Sequence, residues 1–140
     1  RETVVIARPP RIVLAAGGTG GHMFPALAVA EVLQRRGIEP ILLTDDRGER
    51  YAGPFGAVER HVLPAANVAR GKLSGAVNLV RATLAARRLL GDLRPLAVMG
   101  FGGYATLPAL LAGRLRGLPT CVHEQNAVLG RVNRIAAGFV

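Results

Sequence analysis

Apolar residues gather along the chain in short runs, separated by stretches where they recur every three or four positions. Residues 11–16 form a nearly continuous apolar run, the mark of a strand covered on both faces. Similar runs at 40–44, 58–63, 96–99 and 119–123 predict four more strands. Between them, residues 26–36 carry apolar positions at helical spacing, with Pro25 suited to the first turn and Gly37 as a stop. A short helix is expected over 45–52 with Asp46 as its cap, and a longer one over 76–90 closed by Gly91. A helix over 108–116 ends at Gly117, and a last one starts near 129. Residues 64–75 read as a polar loop. Strands alternating with helices predict an α/β fold, an open parallel sheet with right-handed crossovers and helices on both faces. Residues 1–10 read as a flexible lead-in and 11–140 as one domain, whose helical pattern breaks off at the last residue.

Two strand-to-helix junctions are glycine-rich: Gly17-Gly18-Thr19-Gly20-Gly21-His22 and Gly100-Phe101-Gly102-Gly103-Tyr104. In an open α/β sheet ligands bind at such turns, where glycine allows close backbone approach and a helix start offers free N–H groups to a phosphate. Two in one short chain predict a pocket for a phosphorylated or diphosphorylated substrate. The first is not a dinucleotide fingerprint, because Met23 stands where the third glycine belongs, and no Gly-Lys-Ser/Thr follows it for a nucleoside-triphosphate loop.

Composition narrows the partners. The 140 residues carry a formal charge of +9, with Lys72 the one lysine among 18 basic residues, and Trp is absent. The basic excess fits nucleic acid, an anionic membrane or a phosphate-rich substrate, and the lack of aromatic platforms argues against nucleic acid. No apolar stretch reaches the ~18–20 residues that span a bilayer. A single cysteine, Cys121, excludes an internal disulfide and is expected to be a buried small hydrophobe in a reducing cytoplasm.

His22 lies where a loop opens a helix. The positive end of the helix dipole disfavours an imidazolium there, so a neutral ring able to accept a proton is expected; a mere helix-capping role is the alternative. His123-Glu124-Gln125-Asn126 follows a strand and should reach the same sheet edge, either to bind sugar hydroxyls or simply to form a turn. Asp45-Asp46 has no His or Cys partner at metal-ligand spacing, and no metal is expected. Leu73, Val77, Val80 and Leu84, with Arg70, Lys72 and Arg81 nearby, admit two readings: core packing, or a basic-apolar patch for an anionic membrane.

Three segments together, Gly17 to Pro25, Gly100 to Tyr104, and His123-Glu124-Gln125-Asn126 followed by Gly130 and Asn133, resemble the N-terminal domain of the MurG family of bacterial cell-wall glycosyltransferases. The resemblance runs in register from Arg11 onward. It implies the N-terminal, Rossmann-like half of a GT-B enzyme that moves N-acetylglucosamine (GlcNAc) from UDP-GlcNAc to the muramoyl 4-hydroxyl of lipid I, with inversion and no essential cofactor. By the same resemblance His22 would be the general base for the attacking hydroxyl or act electrostatically instead, with Glu124 orienting an acceptor hydroxyl or supporting His22. Thr19, Gly20, Gly21 and Asn126 would touch the sugar donor. Gly17, Gly18, Gly102, Gly103 and Tyr104 would cradle the acceptor diphosphate, Tyr104 chiefly by shaping its loop. The family also implies peripheral attachment to the cytoplasmic face of the inner membrane. It further implies a donor-binding domain outside these residues, without which the 140 residues should be inactive. A membrane-recruiting module without catalysis, and another GT-B transferase with a lipid-linked acceptor, are the alternatives.

Overall fold

The computed structural model describes residues 7–64 and 71–140. Five strands, β1 (Arg11–Ala15), β2 (Glu39–Thr44), β3 (Glu59–Val62), β4 (Ala97–Gly100) and β5 (Thr120–Val122), make one sheet in the order β3-β2-β1-β4-β5. Every pairing is parallel. The helices are α1 (Gly20–Arg35), α2 (Lys72–Leu93), α3 (Thr106–Leu115) and α4 (Arg131–Ala136), with two 3-10 turns at Gly48–Tyr51 and Gly53–Phe55.

Alternation along the strands builds a core on each face of the sheet. Val13, Ala15, Ile41 and Leu43 pack with Ala86 and Leu90 of α2 and Ala109 and Leu110 of α3. Leu14 and Leu42 point the other way, against Met23, Ala26 and Ala30 of α1 and Phe55. Both faces being covered explains the unbroken apolar runs of β1 and β2. The strand order reverses at β1, with β2 on one side and β4 on the other, so a crevice opens at the carboxyl ends of β1 and β4.

Several boundaries differ from the sequence reading. α1 starts at Gly20, within the glycine loop, so Pro25 is the helix's sixth residue and leaves the Gly21 carbonyl without its usual donor. The stretch at 45–52 forms 3-10 turns rather than a helix, and Asp45, not Asp46, caps it by accepting the Gly48 N–H at 2.7 Å. α2 does not stop at Gly91. It continues to Leu93 and closes with Arg94 in the left-handed region (φ 50°). Gly91 instead makes room for Arg116, whose guanidinium would lie 2.6 Å from an added Cβ. Cys121 is exposed, because β5 is an edge strand among the described residues.

Candidate active site

The two glycine loops leave β1 and β4, which pair through Ala15 and Gly100, and they brace each other. The Gly17 N–H donates to the Gly102 carbonyl at 3.3 Å. Gly102 and Gly103 both have left-handed backbones (φ 105° and 86°). An added Cβ at Gly103 would strike the Gly17 carbonyl, and one at Gly102 would lie 2.7 Å from His22 Cδ2 and 2.8 Å from Nε2. The imidazole therefore rests on a surface that only glycine leaves open.

His22 Nδ1 lies 2.8 Å from the Gly17 carbonyl oxygen. A carbonyl only accepts, so Nδ1 carries the proton and, in the neutral ring, Nε2 keeps a lone pair. The half-buried ring thus presents its basic nitrogen over Gly102.

Two buried side chains hold this arrangement, and the sequence reading assigned neither to it. Asp45, 6% exposed at the end of β2, accepts from Gly18 N at 3.1 Å as well as from Gly48 N. Thr106, fully buried at the start of α3, accepts from Gly102 N at 3.1 Å. Its hydroxyl lies 2.9 Å from the carbonyls of both Ala15 and Gly102, one of which takes its proton. The amides of Gly17 and Gly18 are thereby used within the loops. Those of Gly20 and Gly21 on the first loop, and of Gly103 and Tyr104 on the second, have no partner among the described residues.

The third segment joins from β5. His123 N donates to the Gly100 carbonyl at 2.7 Å, and its ring lies 5.5 Å from that of Phe101. The Glu124 carboxylate accepts four hydrogen bonds, from Gly130 N (2.8 Å), Asn126 N (3.0 Å), Asn126 Nδ2 (2.8 Å) and Asn133 Nδ2 (3.1 Å). It is the anchor of its own loop, and no bond joins it to His22. The Gly130 and Asn126 N–H groups, chiefly, hold its carboxyl down at about 2. Since the folded value lies below the unfolded one, this loop's stabilisation is complete above the ordinary glutamate range and fades only as pH falls toward 2. Asn133 spends its second amide hydrogen on the His123 carbonyl at 2.9 Å.

These pieces line an open cavity of about 300 Å³, with His22, Gly102, Gly103, Tyr104, Glu124 and Asn126 on its wall and the start of α4 at its side. A larger open groove, about 740 Å³, lies at the opposite edge between residues 8–11 and 91–96 and contains none of the loop residues. Among the described residues no group of three His, Cys, Asp or Glu side chains is placed to hold a metal.

Away from the cavity, α2 shows a stripe at helical spacing: Leu73 is 81% exposed and Val77, Val80 and Leu84 at least half exposed. Lys72 and Arg81 are also exposed, and Arg70 lies outside the described residues. The core-packing alternative falls to the other side of the helix, where Ala82, Ala86 and Leu90 are buried. No described helix is long and apolar enough to cross a membrane.

A parallel sheet whose strand order reverses beneath two glycine loops, matched to a glycosyltransferase of known structure, is one Rossmann-like half of the GT-B architecture. The chain belongs to glycosyltransferase family 28, whose N-terminal domain it matches over residues 12–140. It is 53% identical over 135 residues to the UDP-N-acetylglucosamine--N-acetylmuramyl-(pentapeptide) pyrophosphoryl-undecaprenol N-acetylglucosamine transferase of Paramagnetospirillum magneticum, covering 94% of this chain and 36% of that protein. The enzyme of the same name from Allorhizobium ampelinum is 52% identical over 130 residues, covering 90% and 35%. The crystal structure of Acinetobacter baumannii MurG superposes with a TM-score of 0.80 at 37% identity, over 93% of this chain and 39% of that one. The chain thus spans about a third of the length of these curated relatives (36% and 35%).

Proposed function

We propose that this chain is the acceptor-binding half of an inverting N-acetylglucosaminyltransferase that uses UDP-GlcNAc and lipid I and forms lipid II. The observation that carries the reading is the His22 ring, tied through Nδ1 to Gly17 with Nε2 turned over Gly102 beside the free amides of the second loop. In the reaction the muramoyl 4-hydroxyl attacks the anomeric carbon of GlcNAc from the face opposite UDP. His22 Nε2 takes the hydroxyl proton, the new C–O bond forms, and the old one breaks with its electron pair leaving on the UDP diphosphate. The amides of Gly103 and Tyr104 face the acceptor diphosphate, in loops shaped by Gly17, Gly18 and Gly102. Thr19, Gly20, Gly21 and Asn126 face the sugar donor held by the remainder of the enzyme, and Glu124 fixes the loop that carries Asn126. No metal or cofactor takes part in this scheme.

A full-length enzyme assayed with UDP-GlcNAc should transfer GlcNAc to a short-chain lipid I analogue and leave diacylglycerol untouched. The isolated 140 residues should transfer to neither. Equal transfer to diacylglycerol would replace the acceptor assignment with that of a lipid glycosyltransferase.

The exposed stripe of α2, with Lys72 and Arg81 beside it, supports peripheral binding to the anionic cytoplasmic face of the inner membrane. A Leu73→Glu, Val80→Glu double variant should bind vesicles containing anionic phospholipid about tenfold or more weakly, with unchanged circular dichroism. Undiminished vesicle binding would move the membrane contact elsewhere.

A further inference from the structure

The cavity wall carries one permanently charged basic side chain, Arg131, the first residue of α4. Its placement is set by the loop anchor, since Gly130 N donates to Glu124 at 2.8 Å and Arg131 follows directly. The other arginine of α4 serves the fold, because Arg134 Nη2 donates to the Leu129 carbonyl at 3.2 Å. Arg131 has no such role. It is exposed, with neither a hydrogen bond nor an ion pair among the described residues.

The charge balance gives that free guanidinium a purpose. Two carboxylates belong to the site, Glu124 on the cavity wall and Asp45 behind the first loop, and both are committed to backbone N–H groups. His22 must be neutral to accept a proton. A diphosphate brought to the free amides of Gly103 and Tyr104 would then meet two fixed negative charges, and Arg131 alone on the wall opposes them. A guanidinium also presents paired N–H donors that match adjacent phosphate oxygens.

From this we infer that Arg131 binds the diphosphate of the lipid-linked acceptor and sets the enzyme's affinity for that substrate; the inference rests on the function proposed above. The UDP diphosphate has the same chemistry, and the kinetics separate the two sources. In the full-length enzyme, Arg131→Gln should raise the acceptor KM by about 10–100-fold, the range of one hydrogen-bonded charge. The UDP-GlcNAc KM and kcat should stay near wild type, and Arg131→Lys should recover part of the loss. Because the side chain makes no hydrogen bond or ion pair among the described residues, both variants should keep the wild-type melting temperature. An unchanged acceptor KM overturns the inference, and so does a loss that falls on UDP-GlcNAc. Calorimetric titration with inorganic pyrophosphate decides it independently of turnover: binding should weaken at least tenfold in Arg131→Gln, and equal binding rejects the assignment. An enzyme that ignores lipid I yet shows this pyrophosphate difference would sink the proposed function and leave Arg131 as a diphosphate ligand.

Discussion

Full-length enzyme carrying His22→Ala is expected to turn over about 10²–10⁴-fold more slowly, the usual contribution of a positioned general base. The geometry gives this substitution a control. Asparagine places an N–H donor near the Nδ1 position and has nothing in place of Nε2, so His22→Asn keeps the bond to the Gly17 carbonyl without the base. Both variants should be comparably slow, while His22→Asn keeps wild-type stability and acceptor KM. Steady-state kinetics at saturating UDP-GlcNAc make the comparison. A His22→Asn enzyme of normal kcat would reduce the histidine to a helix-start fitting, the alternative that its position also allows.

The second large effect is on stability. Asp45→Ala removes the acceptor for two backbone N–H groups, Gly18 and Gly48. Hydrogen bonds to a charged group contribute about 1.5–3 kcal/mol each, and the two are not independent, so a loss of about 2–4 kcal/mol is expected. Asp45→Asn keeps an oxygen in place and should lose less than half as much. Urea denaturation of the three proteins measures this, and an alanine variant as stable as wild type would refute the anchoring role. The damage should extend to chemistry, because the Gly17 carbonyl that fixes the His22 tautomer belongs to the loop that Asp45 holds.

What the sequence revealed, and what it hid, follows from the range of the interactions. Strand runs and glycine junctions are local patterns, and they located all five strands and both loops of the crevice. Asp45 and Asp46 are neighbours with equal local claims to a cap. Asp45 is set apart by Gly18, 27 residues away, which no local rule reveals. Its place at the end of an apolar run was the available clue. The start of α1 was hidden because Gly20 and Gly21 are poor helix formers, and packing of Met23 and Ala26 outweighs that preference. Gly91 has the look of a stop signal, yet its missing Cβ serves Arg116, which arrives from another helix. Cys121 sits in an apolar run, but its burial depends on what lies beyond an edge strand. The roles of Thr106 and Glu124 likewise depend on contacts made only in three dimensions.

The mutual bracing of the loops has a consequence for the order in which the molecule comes together on the ribosome. β1 precedes the other described strands in the chain and lies in the middle of the sheet, and β2 and β3 follow it closely. The hydroxyl beside its last carbonyl, at Ala15, comes from Thr106, 91 residues later. Loops fixed by such distant partners close last, because the chain entropy between them is lost before any contact compensates it. A nascent chain therefore can pair β1, β2 and β3 well before the crevice above them has its fixed shape, and the arrival of Thr106 marks the point at which the two loops can lock together.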